Sequence, residues 1–141
     1  VAYCTQDDIL DQVAEAELVR LTDDASAGTV DADVVAAAIA GAEAEIDSYV
    51  GRRHTVPLSP VPPVVRDRAV DIAVYRLYKR RRKANDDVRK SYEDALAWLK
   101  DVAKGLVSLG VDDPDATPSP THRPSIDGPD RIFDRDKLEG F

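Results

Sequence analysis

Nine prolines fall in two clusters, and they decide where this chain can be helical. Pro57, Pro60, Pro62 and Pro63 lie in the connector HTVPLSPVPP (54–63), and Pro114, Pro118, Pro120, Pro124 and Pro129 follow Gly110. Proline inside a helix removes a backbone donor and clashes with the preceding turn, and it pushes the residue before it out of the helical region. Neither cluster can therefore be helix interior, although Pro63 is well suited to a helix's first turn. Helices must occupy what is left.

The remaining segments carry helix signals. Thr5 is a good N-cap with Asp7 and Asp8 in the first turn, where the helix dipole favours carboxylates. Ile9, Leu10, Val13, Leu18, Val19 and Leu21 then predict one or two short amphipathic helices stopping near Thr22. After the loop TDDASAGTVDAD (22–33), Asp31 caps a helix with the stripe Val34, Val35, Ala38, Ile39, Ala42, Ile46, Tyr49 and Val50. Small residues around Gly41 would let another helix approach closely. A third helix is predicted from about Pro63 to Lys83, burying Val65, Ala69, Ile72, Ala73, Leu77 and Tyr78. Asn85 caps a fourth, with the seam Val88, Tyr92, Ala95, Leu96, Leu99, Val102, Ala103 and Leu106, ended by Gly105 or Gly110. No alternating β-branched run competes. The expected fold is all-α: a small bundle of about four helices over 1–109, with a long extended C-terminal arm over 110–141.

The net charge of −8 conceals a division of sign. Residues 1–50 hold twelve acidic residues and one basic one, Arg20, whereas residues 51–109 hold fourteen basic and seven acidic. Opposite halves of this kind either neutralise each other within a protomer or pair head-to-tail between copies. Composition leaves both open. No apolar run approaches the roughly 18–20 residues that span a bilayer, so no membrane partner is expected. The opening VAYCTQDDIL is acidic where a secretory leader would be basic and then apolar, so no signal peptide is expected. The small Val1, in a chain without Met, fits removal of an initiator Met. Cys4 is the single cysteine, which excludes an internal disulfide. With no basic neighbour in sequence to favour its thiolate, it is predicted to be a buried packing residue.

Candidate chemistry is sparse. Asp23, Gly28, Val30 and Asp31 fit positions 1, 6, 8 and 9 of a calcium loop. Ala25, Ala27 and Val34 occupy the places where further oxygen ligands are needed, so a helix-capping loop is expected instead. The histidines, His54 and His122, sit in the proline connector and the tail, poor places to orient a general base. There is no phosphate-binding glycine loop, cysteine pair for zinc or nucleophile motif. No catalytic residue, cofactor or metal is expected, and the chain is read as no enzyme. The run KRRRK (79–83) suits a helix C-terminus, where cations offset the dipole. With Arg76 it forms a basic region of Arg76, Lys79, Arg80, Arg81, Arg82 and Lys83, expected to meet an acidic neighbouring subunit. Nucleic-acid binding through the same run is the rival, opposed by the acidic total and the few aromatics nearby.

The tail reverses in character at its end. Its prolines are mixed with Asp, Ser, Thr and Gly, a composition that cannot build a core. Yet RIFDRDKLEGF (131–141) brings Ile132, Phe133, Leu138 and Phe141 among the charges Arg131, Asp134, Arg135 and Asp136. Such residues either fold back on the protein's own bundle or form a docking peptide for another subunit, ordered on binding.

Several segments together resemble a known family. YCTQDDIL, LTDD, AEIDSYVGRRH, VPLSPVPPVVRDRAVDIAVYRLY, YEDALAWLKDVAKG with SLG, and the terminal RIFDRDKLEGF are similar to the Mu-type phage head–tail connector, or head-completion, proteins. The likeness covers nearly the whole chain in order, departing mainly between Asp112 and Pro129. It implies a helical adaptor in the virion, made in the bacterial host cytoplasm and placed at the portal vertex of the capsid. Such an adaptor assembles with itself as a ring of twelve copies, bridges the portal protein to a tail or stopper protein, and leaves a lumen through which DNA passes. Arg131, Ile132, Phe133, Asp134, Arg135, Asp136, Leu138 and Phe141 would be its portal-docking arm. The alternatives are another neck or tail ring protein, such as a stopper or tail terminator, or a DNA-binding regulator using KRRRK.

Overall fold

Thr5 opens the first helix as its sequence predicts, in the computed structural model, which describes residues 2–110. Its side chain accepts from the Asp8 backbone N–H while the Asp8 carboxylate accepts from the Thr5 N–H, a reciprocal cap. The helices are α1 (Gln6–Leu10), α2 (Glu15–Thr22), α3 (Ala32–Val50), α4 (Pro63–Arg80) and α5 (Asp86–Ala103). Asp31 caps α3 through the N–H groups of Asp33 and Val34, and Asn85 caps α5 through that of Val88. Pro63 takes the first position of α4, directly after the connector. The all-α expectation holds, and the described residues contain no strand. The arm from 111 onward, including Arg131, Ile132, Phe133, Asp134, Arg135, Asp136, Leu138 and Phe141, lies outside the described residues, as does His122.

α4 is the hub. It packs most extensively on α3 and α5, and α1 and α2 cover its remaining side. The predicted stripes supply the core: Val35, Ala38, Ile39, Ala42, Ile46 and Val50 from α3 meet Val65, Ala69, Ile72, Ala73 and Leu77 from α4 and Ala95, Leu99 and Val102 from α5. Each fully buried Leu, Ile or Val contributes about 1.5–3 kcal/mol before entropy costs. Val70 and Val74 of α4 are also buried, beyond the predicted stripe, because α1 and α2 give this helix a second covered face. Among the described residues no helix is long and apolar enough to cross a membrane.

The N-terminal segment is tied down by Tyr3, which is buried. Its hydroxyl donates to Asp47 of α3 and accepts from the Leu58 backbone N–H of the connector at 2.9 Å. Burial, then the bond to Asp47, pushes this phenol above its usual range. Cys4 beside it is buried, as predicted, and burial, with Asp8 and Glu43 adding, pushes its thiol up to about 11.

One helix end and one seam residue differ from expectation. α4 stops at Arg80 instead of continuing to Lys83, because Arg82 turns left-handed (φ 55°). α5 stops at Ala103, and Gly105 (φ 78°) reverses the chain so that Leu109, not Leu106, enters the core. Leu106 is 73% exposed, the exception among the large apolar residues described.

Candidate functional site at the basic corner

The α2–α3 loop is built by its aspartates. Both carboxylate oxygens of Asp23 accept backbone N–H bonds, from Ala27 at 2.9 Å and Gly28 at 2.8 Å. These bonds hold its carboxyl below the usual range. The buried Thr22 hydroxyl donates to the Leu18 carbonyl at 2.8 Å and accepts from the Asp31 N–H at 3.1 Å, closing the loop at its base. The would-be calcium positions are thus engaged in capping. Among the described residues no group of three or more His, Cys, Asp or Glu is placed to hold a metal ion. His54 is buried at the start of the connector, and its Nδ1 has no hydrogen-bond partner.

This loop is where the basic run of α4 lands. Arg80 forms an ion pair with Asp24 and donates to the Leu21 carbonyl at 3.2 Å. Arg81 donates from Nε to the same carbonyl at 3.3 Å and from Nη2 to the Asp23 carbonyl at 3.2 Å, and also pairs with Asp24. Two guanidinium groups therefore cap the last carbonyls of α2, the acceptors that a helix end leaves unsatisfied. The Arg80 bond in turn holds the Asp24 carboxyl below its usual range.

Further along α4, Arg76 reaches Glu45 of α3, Nη2 to Oε2, at 3.1 Å. Gly41 provides the room, since a Cβ there would come within 2.7 Å of Arg76 Nη1. The Tyr92 hydroxyl of α5 donates to the other oxygen of Glu45 at 2.7 Å, and the ring stacks on Tyr75 with centroids 4.0 Å apart. Burial, then the bond to Glu45, raises the Tyr92 phenol to about 12.

Of the six basic residues singled out in the sequence, Arg76, Arg80 and Arg81 are engaged inside the protomer with the acidic first half. Lys79, Arg82 and Lys83 are exposed and, among the described residues, make no ion pair. Two shallow grooves share Tyr75 and Lys79: one of about 390 Å³ reaching Glu45 and Tyr92, one of about 320 Å³ reaching Arg82, Ala84 and Arg89. Sequence reasoning missed Glu45, Tyr75 and Tyr92, whose contacts join residues up to 47 positions apart. Of the three, only Tyr92 lay on a predicted stripe, as part of the α5 seam.

What the geometry defines is a class: a small helical bundle whose carboxylates cap helices and pair with arginines across its own surface. Comparison with known proteins places it. Residues 3–127 match the family described as Bacteriophage Mu, Gp36. The chain is 31% identical over 141 residues to "Mu-like prophage FluMu protein gp36" of Haemophilus influenzae, covering 100% of this chain and 99% of that protein. It is 28% identical over 141 residues to "Gene product J" of Escherichia phage Mu, covering 99% and 98%. The chain belongs to the Bacteriophage Mu Gp36 family.

Proposed function

We propose that this chain is a structural component of a phage virion, and no enzyme: a head–tail adaptor that forms a ring, of twelve copies, beneath the portal and joins the completed head to the tail. The observation that carries the reading is the family match, which runs through the whole helical bundle and into the tail segment. The helices supply the ring body, and the terminal segment 131–141 supplies a docking peptide for the portal, with Ile132, Phe133, Leu138 and Phe141 as its apolar anchors. Thirty-one residues follow Gly110, and at about 3.3–3.6 Å each they can span roughly 100 Å, enough to reach a neighbouring ring. Phage DNA passes through the lumen, and tail or stopper protein meets the opposite face.

Infection by a phage lacking this chain tests the reading. Filled heads without tails should accumulate, and wild-type chain supplied in trans should restore tailed particles, whereas a chain lacking 130–141 should not. Tailed particles at normal yield without the chain would overturn it.

A further inference from the structure

The charged groups left over after the internal pairs are made include one basic and one acidic cluster. The basic cluster is Lys79, Arg82 and Lys83, at the end of α4 and in the turn after it; all three are exposed. On the acidic side, Asp8, Asp23, Asp24, Asp31, Glu45 and Asp47 serve as caps or partners. Asp7, Asp11 and Glu15 do neither among the described residues; they are exposed on α1 and the turn into α2. No basic residue precedes Arg20 in the chain to offset them.

The two sets lie on different faces of α4. The α1–α2 turn packs through Gln12 and Val13 beside Asp71, Val74 and Tyr78. Lys79 and Arg82 line the grooves beside Tyr75, on the face that looks toward α3 and α5. Complementary surfaces on different faces of one protomer cannot be self-matched about a two-fold axis. They meet head-to-tail, an arrangement that closes into a ring where the rotation between neighbours closes and otherwise extends as a filament.

We propose that the groove floored by Tyr75 and rimmed by Lys79 and Arg82, with Lys83 next to Arg82 in the turn, receives the acidic edge Asp7, Asp11 and Glu15 of a second copy of this chain. The inference rests on the ring reading above and names the contact that builds the ring. It also splits the basic run in two. Arg80 and Arg81 hold the protomer's own α2–α3 loop, while Lys79, Arg82 and Lys83 face the neighbour.

Sedimentation velocity of the full chain at low salt tests this, with four samples. They are the wild type, a chain carrying Lys79→Glu, Arg82→Glu and Lys83→Glu, a chain carrying Asp7→Lys, Asp11→Lys and Glu15→Lys, and an equimolar mixture of the two variants. Every altered side chain is exposed and unpaired within the described residues, so each variant should keep the wild-type helical circular dichroism. Each variant alone should self-associate about tenfold or more weakly than wild type, since several exposed pairs turn repulsive. The mixture, in which every contact is again attractive, should assemble. Variants that assemble as the wild type does, or a mixture that stays monomeric, would overturn the proposal. A wild-type chain that stays monomeric would also overturn it, as would retention of duplex DNA abolished by the basic-face reversal with self-association unchanged. The adaptor role is read separately, by restoration of tailed particles with the wild-type chain.

Discussion

Helices α4 and α5 have the same length, 18 residues, and run side by side, yet they are different kinds of helix. α5 buries Ala95, Leu99 and Val102 on a single stripe and turns its other side to solvent. α4 buries Val65, Ala69, Val70, Ile72, Ala73, Val74 and Leu77, because four other helices touch it. They also end alike by different means. In each, the N–H two residues past the cap bonds back to the third-last carbonyl, Lys83 to Tyr78 at 3.0 Å and Leu106 to Asp101 at 2.9 Å. The left-handed residue that permits this is glycine in α5 but arginine in α4. A helix at the rim can be specified locally; the one at the hub is specified by what surrounds it.

The largest expected effect comes from breaking the hub. Ile72→Ala removes a fully buried side chain where neighbours press from both sides, so collapse around the cavity is limited. It should destabilise by about 2–5 kcal/mol in urea unfolding. Leu96→Ala on α5, where the side chain is half-buried, should cost about 1 kcal/mol. Equal losses at the two positions would mean that α4 is no more central than its neighbour.

The same contrast governs what can be read from the sequence. The caps at Thr5, Asp31 and Asn85, the start of α4 at Pro63 and the stripes of α3 and α5 are local signals, and each appears where its chemistry puts it. Val70 and Val74 escaped because the covering helices are distant in sequence and a single-stripe pattern does not announce a second face. Leu106 was placed in the seam by periodicity alone, although Gly105 one residue earlier ends the periodicity. The candidate site was half legible. The run KRRRK marked the place, but its division into inward and outward cations depends on Asp24 lying 56 residues from Arg80 in sequence and beside it in space.

The second prediction exchanges the glycine that ends α5. Gly105→Ala places a Cβ in the left-handed region and within 2.5 Å of Arg53 Nη1, so the guanidinium must shift. A loss of about 1–2 kcal/mol is expected in thermal or urea unfolding, the usual penalty for a side chain in this conformation. No loss would show that the end of α5 frays without harm and that Leu109 is anchored independently.

The smallest effect, and the one that separates stability from assembly, is the reverse exchange. Arg82 holds φ 55° without an ion pair among the described residues, so its side chain gives the isolated protomer no compensation for the strained backbone. Arg82→Gly should therefore stabilise the protomer, by up to about 1 kcal/mol, with unchanged helix content. Arg80 and Arg81 already fix the turn by holding the α2 carbonyls and Asp24, so the protomer does not need Arg82 to find this geometry. If the guanidinium instead serves the neighbouring copy, the same substitution should weaken self-association while the unfolding midpoint rises. Opposite signs in the two measurements would place the reason for an arginine at a glycine position outside the protomer. A fall in both would place it inside, and would remove Arg82 from the contact proposed between copies.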